Sequence, residues 1–242
     1  MRVRENEKPN GVSSAGFTLV ELLVVLAVVA VLLSILIPSL RKARVTAFRA
    51  GCASNLRQIN LGLNMYLDDS DGIYPCAEDP VSVEPVYWLW MGRGWRPFVR
   101  PYLGGSLDAR DPSVLLCPED RSDPAMYEST SYAYSMAFYH SPDQIDAMSD
   151  KADTYTNPRP SIGQRRDDVA TPAAKILLGE WFSNHCPLDD EQGWWNWQGA
   201  RNFLFADGHG AFLKATQILP ARDNLPDANL TIGGIKGRDI AP

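Results

Sequence analysis

A chain of 242 residues allows one domain of ordinary size and an anchor besides. Its net charge of −6 and sequence pI near 5.1 leave no basic stripe that outweighs the acids, which excludes nucleic acid as the main partner. Seven Trp and nine Tyr fit a packed domain with a modest core and exclude a wholly disordered polypeptide.

Residues 1–16 are polar and carry Arg2, Arg4 and Lys8 against Glu5 and Glu7. Gly16-Phe17-Thr18-Leu19-Val20-Glu21 follows, and then an apolar run from Leu22 to Ile37 in which Ser34 is the only polar residue, closed by Pro38. Counted from Phe17, the run makes about 31 Å of helix at 1.5 Å per residue, enough to span a hydrocarbon core. An ordinary secretory signal places its small-residue cleavage site after the apolar core, whereas here the polar segment and its Gly16 lie before it. Glu21 is an ionisable group near one end of a membrane helix, where charge is costly and usually functional.

This segment resembles the processing site of type IV prepilins and type II secretion pseudopilins. The resemblance rests on Gly16 before the cut, Phe17 after it, Glu21 as the fifth mature residue and Pro38 as the twenty-second. It implies that a prepilin peptidase removes residues 1–16 and methylates the new N-terminus at Phe17. It also implies that Glu21 sets register against the α-amino group of a neighbouring subunit. The implied partners are that peptidase/methyltransferase, other pilin-like subunits, an inner-membrane assembly platform and membrane lipid. The implied location is the bacterial inner membrane, single-pass, with the N-terminus cytoplasmic and the head extracytoplasmic. The leader's Arg and Lys agree with that orientation, although Arg41, Lys42, Arg44 and Arg49 on the far side run against the positive-inside rule.

Beyond Pro38, Val45, Phe48, Cys52, Leu56, Ile59, Leu63 and Tyr66 recur at steps of three and four, which predicts an amphipathic continuation of the helix over residues 41–72. Pro38 should kink the helix or loosen one turn. Asp68-Asp69-Ser70-Asp71-Gly72 should end it, with Gly72 left-handed. A lollipop-shaped subunit results: leader 1–16, membrane helix 17–40, amphipathic helix 41–72, a globular head over 73–213, and an extended, weakly ordered tail over 214–242 rich in Pro, Gly and Asp. The fold class expected is α+β and pilin-like, with a long N-terminal helix packed on an antiparallel sheet.

Within the head, Val114–Pro118 and Ser131–Tyr139 read as strands, and Lys175–Glu180 as a buried one. His140 to Asp168 reads as a polar surface excursion. Asn202–Ala206 and His209–Leu213, joined by Asp207-Gly208, predict a hairpin with a two-residue turn. The four cysteines, Cys52, Cys76, Cys117 and Cys186, all follow the membrane segment, and an even count in an exported domain favours disulfides in one of three pairings. No C-x-x-C or Cys/His spacing suggests zinc.

A second resemblance covers most of the chain. Cys52-x-x-Asn55-Leu56-Arg57-Gln58-Ile59, Tyr66-x-Asp68-Asp69-x-Asp71-Gly72-x-x-Pro75, Leu116-Cys117-Pro118-x-Asp120, Ser131-Tyr132-x-Tyr134 and Asn202–His209 are similar to the bacterial prepilin-type proteins named for a His-x9-Asp-Gly motif, and to a neighbouring family of unknown function with the same anchor. Trp197 stands where that motif has His, so its task is lost, moved to His185, or was packing that Trp can supply.

Candidate chemistry is sparse. Asp69-x-Asp71-Gly72-x5-Glu78 follows a calcium-loop pattern except for Leu67 at the first ligand position. Resemblance to major pseudopilins, which bind calcium in the head, gives that pattern a motive, while Pro75 would bend the loop. Asp207 and His209, with Glu180 and His185 nearby, form a conceivable catalytic or metal cluster, yet Asp207 is also what an Asp-Gly turn wants. Trp88, Trp90, Trp95 and Trp194, Trp195, Trp197 suit either sugar stacking or core packing. There is no Gly-x-Ser-x-Gly, phosphate loop or dinucleotide fingerprint. A structural fibre subunit, with no catalytic residues and no cofactor besides that candidate calcium, is therefore expected. The rivals are a membrane-anchored extracytoplasmic module binding carbohydrate or calcium and, more remotely, an anchored hydrolase.

Overall fold

The computed structural model describes residues 18–76, 95–104, 114–120, 130–149, 161–186, 188, 193 and 195–241. Its contacts divide the chain into two units, residues 1–44 and 45–242. Helix α1 runs from Leu19 to Asp69 and continues through Pro38, where the missing N–H removes one intrahelical bond without ending the helix. In the first unit the apolar side chains from Leu19 to Leu40 are exposed, and none of the most apolar window is buried, unlike the core helix of a soluble protein. The expected interruption at Pro38 is thus a local loss of one hydrogen bond inside one helix.

In the second unit the predicted helix face is the buried one. Cys52, Leu56, Ile59 and Leu63 are buried, while Leu67 takes the place expected for the half-buried Tyr66 and Val45 is exposed. Gly62 is buried on the same face because Val99 and Leu103 approach it so closely that a Cβ would lie 2.9 Å from both. The helix ends as expected, with Gly72 N–H donating to Leu67 C=O at 2.8 Å, but the left-handed conformation begins one residue early, at Asp71.

Four antiparallel strands form one sheet in chain order: β1 (Tyr132–Tyr134), β2 (Ile176–Glu180), β3 (Ala200–Phe205) and β4 (Gly210–Lys214). The α+β, pilin-like arrangement is therefore present, a long N-terminal helix with a four-stranded antiparallel sheet. Strands β1–β3 are buried along their whole length, so both faces are covered. Tyr132, Tyr134, Leu178 and Leu204 join the core built on α1, whereas Ala133, Ile176, Phe203 and Phe205 point to a second cluster.

That second cluster corrects the expected tail. Ile218, Ala228 and Ile240 pack there, while Ala221, Leu230 and Ile235 enter the first core. Residues 215–241 are thus a covering layer, not an extended and weakly ordered segment. Their irregular backbone is satisfied mainly within itself, as in Leu219 N–H to Asp239 C=O and Arg222 N–H to Leu230 C=O, and side chains tie it to the rest of the head: Ser135 Oγ donates to Ala228 C=O, and Asn229 Oδ1 accepts from Met136 N–H. Buried Lys175 holds Asp239 at 3.1 Å, and Asp239 Oδ2 accepts the Ile176 N–H at 2.6 Å, locking the last residues to the start of β2.

Three local expectations change. Val114–Cys117 forms turns rather than a strand, held by Ser131 N–H donating to Leu115 C=O at 2.8 Å. The strand expected over Ser131–Tyr139 stops at Tyr134 and gives way to a 3-10 turn over Met136–Phe138, capped by Ser135. The stretch after His140 holds a short helix, Pro142–Asp146, with a Ser141/Gln144 capping box and a buried Ile145.

Candidate functional site

Gly16 and Phe17 lie outside the described residues, so the structural account of the N-terminal site starts at Thr18. Glu21 Oε2 accepts the Thr18 N–H at 2.9 Å and the Thr18 hydroxyl at 2.7 Å, while Glu21 N–H donates to Thr18 Oγ1 at 3.2 Å. Thr18-x-x-Glu21 is a capping box that satisfies orphan amides at the start of α1, a signal present in the sequence and missed there. The carboxylate is oriented by Thr18, the second residue of the predicted mature chain.

The head motifs converge on the docking of α1. Cys52 bonds to Cys117 in a disulfide across a separation of 65 residues. One turn later Asn55 Nδ2 donates to Leu116 C=O at 2.8 Å, and Tyr132 Oη donates to Cys52 C=O at 3.4 Å. Cys117 N–H donates to Ser131 Oγ at 2.9 Å. Cys52, Asn55, Leu116, Cys117, Ser131 and Tyr132 are therefore one fastening between helix, loop and sheet. Tyr134 reaches the other end of the helical segment and donates to Pro75 C=O at 3.3 Å. The remaining cysteines are thiols: Cys186 is exposed, and burial pushes the half-buried Cys76 thiol up.

The conceivable cluster divides in two, because Glu180 and His185 pair with each other while Asp207 and His209 pair at the hairpin turn. Glu180, fully buried at the end of β2, accepts His185 Nε2 at 2.8 Å, Asn202 N–H at 2.7 Å and Asn202 Nδ2 at 3.2 Å. Cys117 Sγ lies 3.5 Å from both Glu180 Oε1 and His185 Nε2. The donor atoms of Cys52, Cys117, Glu180 and His185 all fall within 4.8 Å of one another, and all four residues are buried.

The hairpin has a three-residue loop rather than the expected two-residue turn. Gly208 N–H donates to Phe205 C=O, Phe205 N–H donates to His209 C=O, and Gly208 adopts φ +90°. Asp207 Oδ1 holds His209 Nδ1 at 2.6 Å on the surface, and His209 stacks on Phe205 with ring centroids 4.3 Å apart. The Asp207 carboxyl, despite partial burial, is held below its usual range by those contacts with His209. A cavity of about 380 Å³ between α1 and the hairpin is lined by Arg49, Arg57, Asn202, Phe203 and Phe212.

At the predicted calcium loop, Asp69 accepts the Tyr102 hydroxyl at 2.7 Å, the Asp71 carbonyl accepts Arg165 Nη2 at 2.7 Å, and Asp68 pairs with Arg166. Glu78, like Trp88, Trp90 and Trp194, lies outside the described residues. Trp95 is fully buried, Trp195 packs edge-on against Trp181 at 4.9 Å, and Trp197, the substitute for the motif His, donates Nε1–H to Asn224 C=O at 3.2 Å. Two of these three Trp are thus spent on packing, and Trp197 ties the loop before β3 to the C-terminal layer.

The family described as prokaryotic N-terminal methylation motif matches residues 12–37, the stretch that holds Gly16, Phe17 and Glu21. No curated protein and no solved structure matches the chain. The N-terminus is therefore prepilin-like, and a prepilin motif followed by one membrane-length apolar helix fits a single-pass anchored, peptidase-processed protein of pilin type.

Proposed function

We propose that this chain is a non-enzymatic structural subunit of a pilus-like fibre, a pseudopilin of a type II secretion machine or a close counterpart in a type IV pilus. The carrying observation is the methylation motif at residues 12–37, set on a helix whose apolar side chains from Leu19 to Leu40 are exposed among the described residues. Cleavage after Gly16 leaves Phe17 as a methylated N-terminus, facing the cytoplasm, with the head outside. Subunits then leave the inner membrane as their helices bundle, exchanging lipid contacts for neighbouring helices. Glu21 makes misregistered packing costly, since a carboxylate without a partner in an apolar bundle is expensive. Its cap on Thr18 serves the monomer, and joining the fibre exchanges that cap for the amine of an adjacent subunit.

The test is processing and assembly in the native membrane, comparing wild type with Gly16→Ala and Glu21→Ala. Intact-mass analysis reads leader removal and methylation, and shearing with cross-linking reads fibres. A cleaved Glu21→Ala chain that forms no multimers supports a fibre subunit. Equal behaviour of that variant and wild type, with multimers in neither, overturns it in favour of an anchored binding module.

A further inference from the structure

The buried quartet Cys52, Cys117, Glu180 and His185 is more than a disulfide needs. A disulfide is an apolar cross-link, yet a fully buried carboxylate and a buried imidazole lie against it. His185 Nδ1 is itself buried with no hydrogen-bond partner among the described residues. Burying a carboxylate and an imidazole costs desolvation that a cross-link does not call for, so support of the disulfide does not explain why these two side chains are there. We propose that, when Cys52 and Cys117 are thiols, Cys52 Sγ, Cys117 Sγ, Glu180 Oε1 and His185 Nε2 bind one zinc-like divalent cation, so that disulfide and metal are alternative states of a single site.

The geometry fits. Two thiolates, an imidazole and a carboxylate are a zinc donor set, with bonds of about 2.3 Å to sulfur and about 2.0–2.1 Å to nitrogen and oxygen. In a tetrahedron those lengths put sulfur about 3.5–3.6 Å from nitrogen or oxygen, and Cys117 Sγ stands 3.5 Å from both His185 Nε2 and Glu180 Oε1. Closing the site requires the Sγ atoms to separate, the Glu180–His185 hydrogen bond to open around the ion, and the imidazole proton to move from His185 Nε2 to Nδ1, which frees Nε2 to ligate. Outer support is in place, because Asn202 holds the Glu180 carboxylate through its backbone N–H and its Nδ2 and is itself anchored to the Arg49 carbonyl on α1. Two thiolates and a carboxylate around a divalent ion leave one net negative charge. Arg49, whose guanidinium lies 4.7 Å over the Phe212 ring that borders His185, is one cation on that side of the site.

The ligands come from α1, the 114–120 loop, β2 and the loop that follows it, so either state fastens the helix to the head. A phosphine reductant and water convert the disulfide into two thiols and phosphine oxide, and metal binding then releases the two thiol protons. The experiment uses the full chain in detergent carrying Cys76→Ser and Cys186→Ser, so that Cys52 and Cys117 are the two cysteines that remain. After phosphine treatment, Co²⁺ should bind once per chain with a thiolate charge-transfer band and a tetrahedral visible spectrum, and Zn²⁺ should bleach both. The untreated, disulfide-bonded chain should give neither band. X-ray absorption on the zinc-loaded reduced chain should count two sulfur ligands at about 2.3 Å, a reading that needs no further variant to fold. Absence of the charge-transfer band after reduction, the same spectrum with the disulfide intact, or fewer than two sulfurs at the metal would overturn the proposal.

Discussion

Thr18 and Glu21 cap one another at the head of α1, each supplying an acceptor for the other's backbone N–H. The carboxylate at the fifth predicted mature position therefore has two duties that mutation to alanine would remove together. A Gln at 21 keeps the capping box, because an amide oxygen accepts the same bond, but loses the charge. Thr18→Ala keeps the charge and loses the cap. If pairing with a neighbour's amine governs assembly, Glu21→Gln should abolish sheared fibres while Thr18→Ala should reduce them only modestly, with both chains still cleaved. The reverse order of severity would assign Glu21 to helix capping instead.

The Cys52–Cys117 disulfide and the Asn55–Leu116 hydrogen bond act on the same loop from consecutive turns of α1. A cross-link over 65 residues stabilises by about 4 kcal/mol in the chain-entropy account. Asn55→Ala leaves the Leu116 carbonyl without its donor, a loss of about 1–3 kcal/mol. Because the two share one loop, the triple variant Cys52→Ser/Cys117→Ser/Asn55→Ala should lose less than the sum of both effects. Denaturant unfolding of the head in a double-mutant cycle measures that shortfall, and strict additivity would mean the two fastenings are independent.

Gly208 meets two constraints that can be separated. Its φ is +90°, and an added Cβ would stand 2.6 Å from Asn60 Nδ2. The backbone term of Gly208→Ala is about 1–2 kcal/mol, and the clash adds to it. Adding Asn60→Ala removes the clash together with the Asn64 Nδ2 bond to Asn60 Oδ1, a loss that the Asn60→Ala parent shares, so the double variant should stop short of that parent by the backbone term only. Full recovery would show that the backbone conformation costs nothing.

What could be read from the residues follows from the range of the interactions involved. The α1 face from Cys52 to Leu63 and the β2 run depend on local periodicity and appear where their patterns put them, and β3 and β4 pair as a hairpin but with a shifted register. The hairpin loop came out one residue longer because Asp-Gly serves both a two-residue turn and a type I turn followed by a left-handed glycine. Residues 215–241 have Pro, Gly and Asp but no periodicity, so their burial depends on partners such as Ser135 and Lys175 that lie far away in sequence. The same holds for the Cys52 partner and for the quartet with Glu180 and His185. Spacing rules detect ligands on one loop, and these come from a helix, a strand and two loops.

Four buried tyrosines make the head sensitive to alkali. Burial pushes the Tyr74 hydroxyl up to about 12, against the pull of Arg166, and holds those of Tyr132, Tyr134 and Tyr139 well above their ordinary value. Each is raised relative to an unfolded value near 10, so its stabilising contribution is complete below about pH 10 and is lost as pH climbs through the folded value. In that window each tyrosine that ionises only on unfolding removes about 1.4 kcal/mol per pH unit. Absorbance of tyrosinate should rise in two parts, the exposed phenols near pH 10 and the buried ones together with loss of tertiary circular dichroism. A single smooth titration with the fold intact would contradict this.

Lys175 and Asp239 form the buried ion pair that closes the C-terminal layer. Burial draws the Lys175 ammonium down, while Asp239 pushes it back up. Removing one partner leaves a buried charge, and Asp239→Ala should cost about 3–5 kcal/mol. It also deprives the Ile176 N–H of its acceptor at the first residue of β2, so the damage should spread from the C-terminal segment into the sheet. Lys175→Met combined with Asp239→Asn removes the charges and retains an acceptor for that N–H, and should be much milder than Asp239→Ala. Hydrogen exchange at Ile176 and Leu219, whose N–H donates to the Asp239 carbonyl at 2.7 Å, reports the local effect. Rapid exchange at both amides in Asp239→Ala, with protection restored in the double variant, is expected. Unchanged protection in Asp239→Ala would mean that the C-terminal layer is held by its apolar contacts alone.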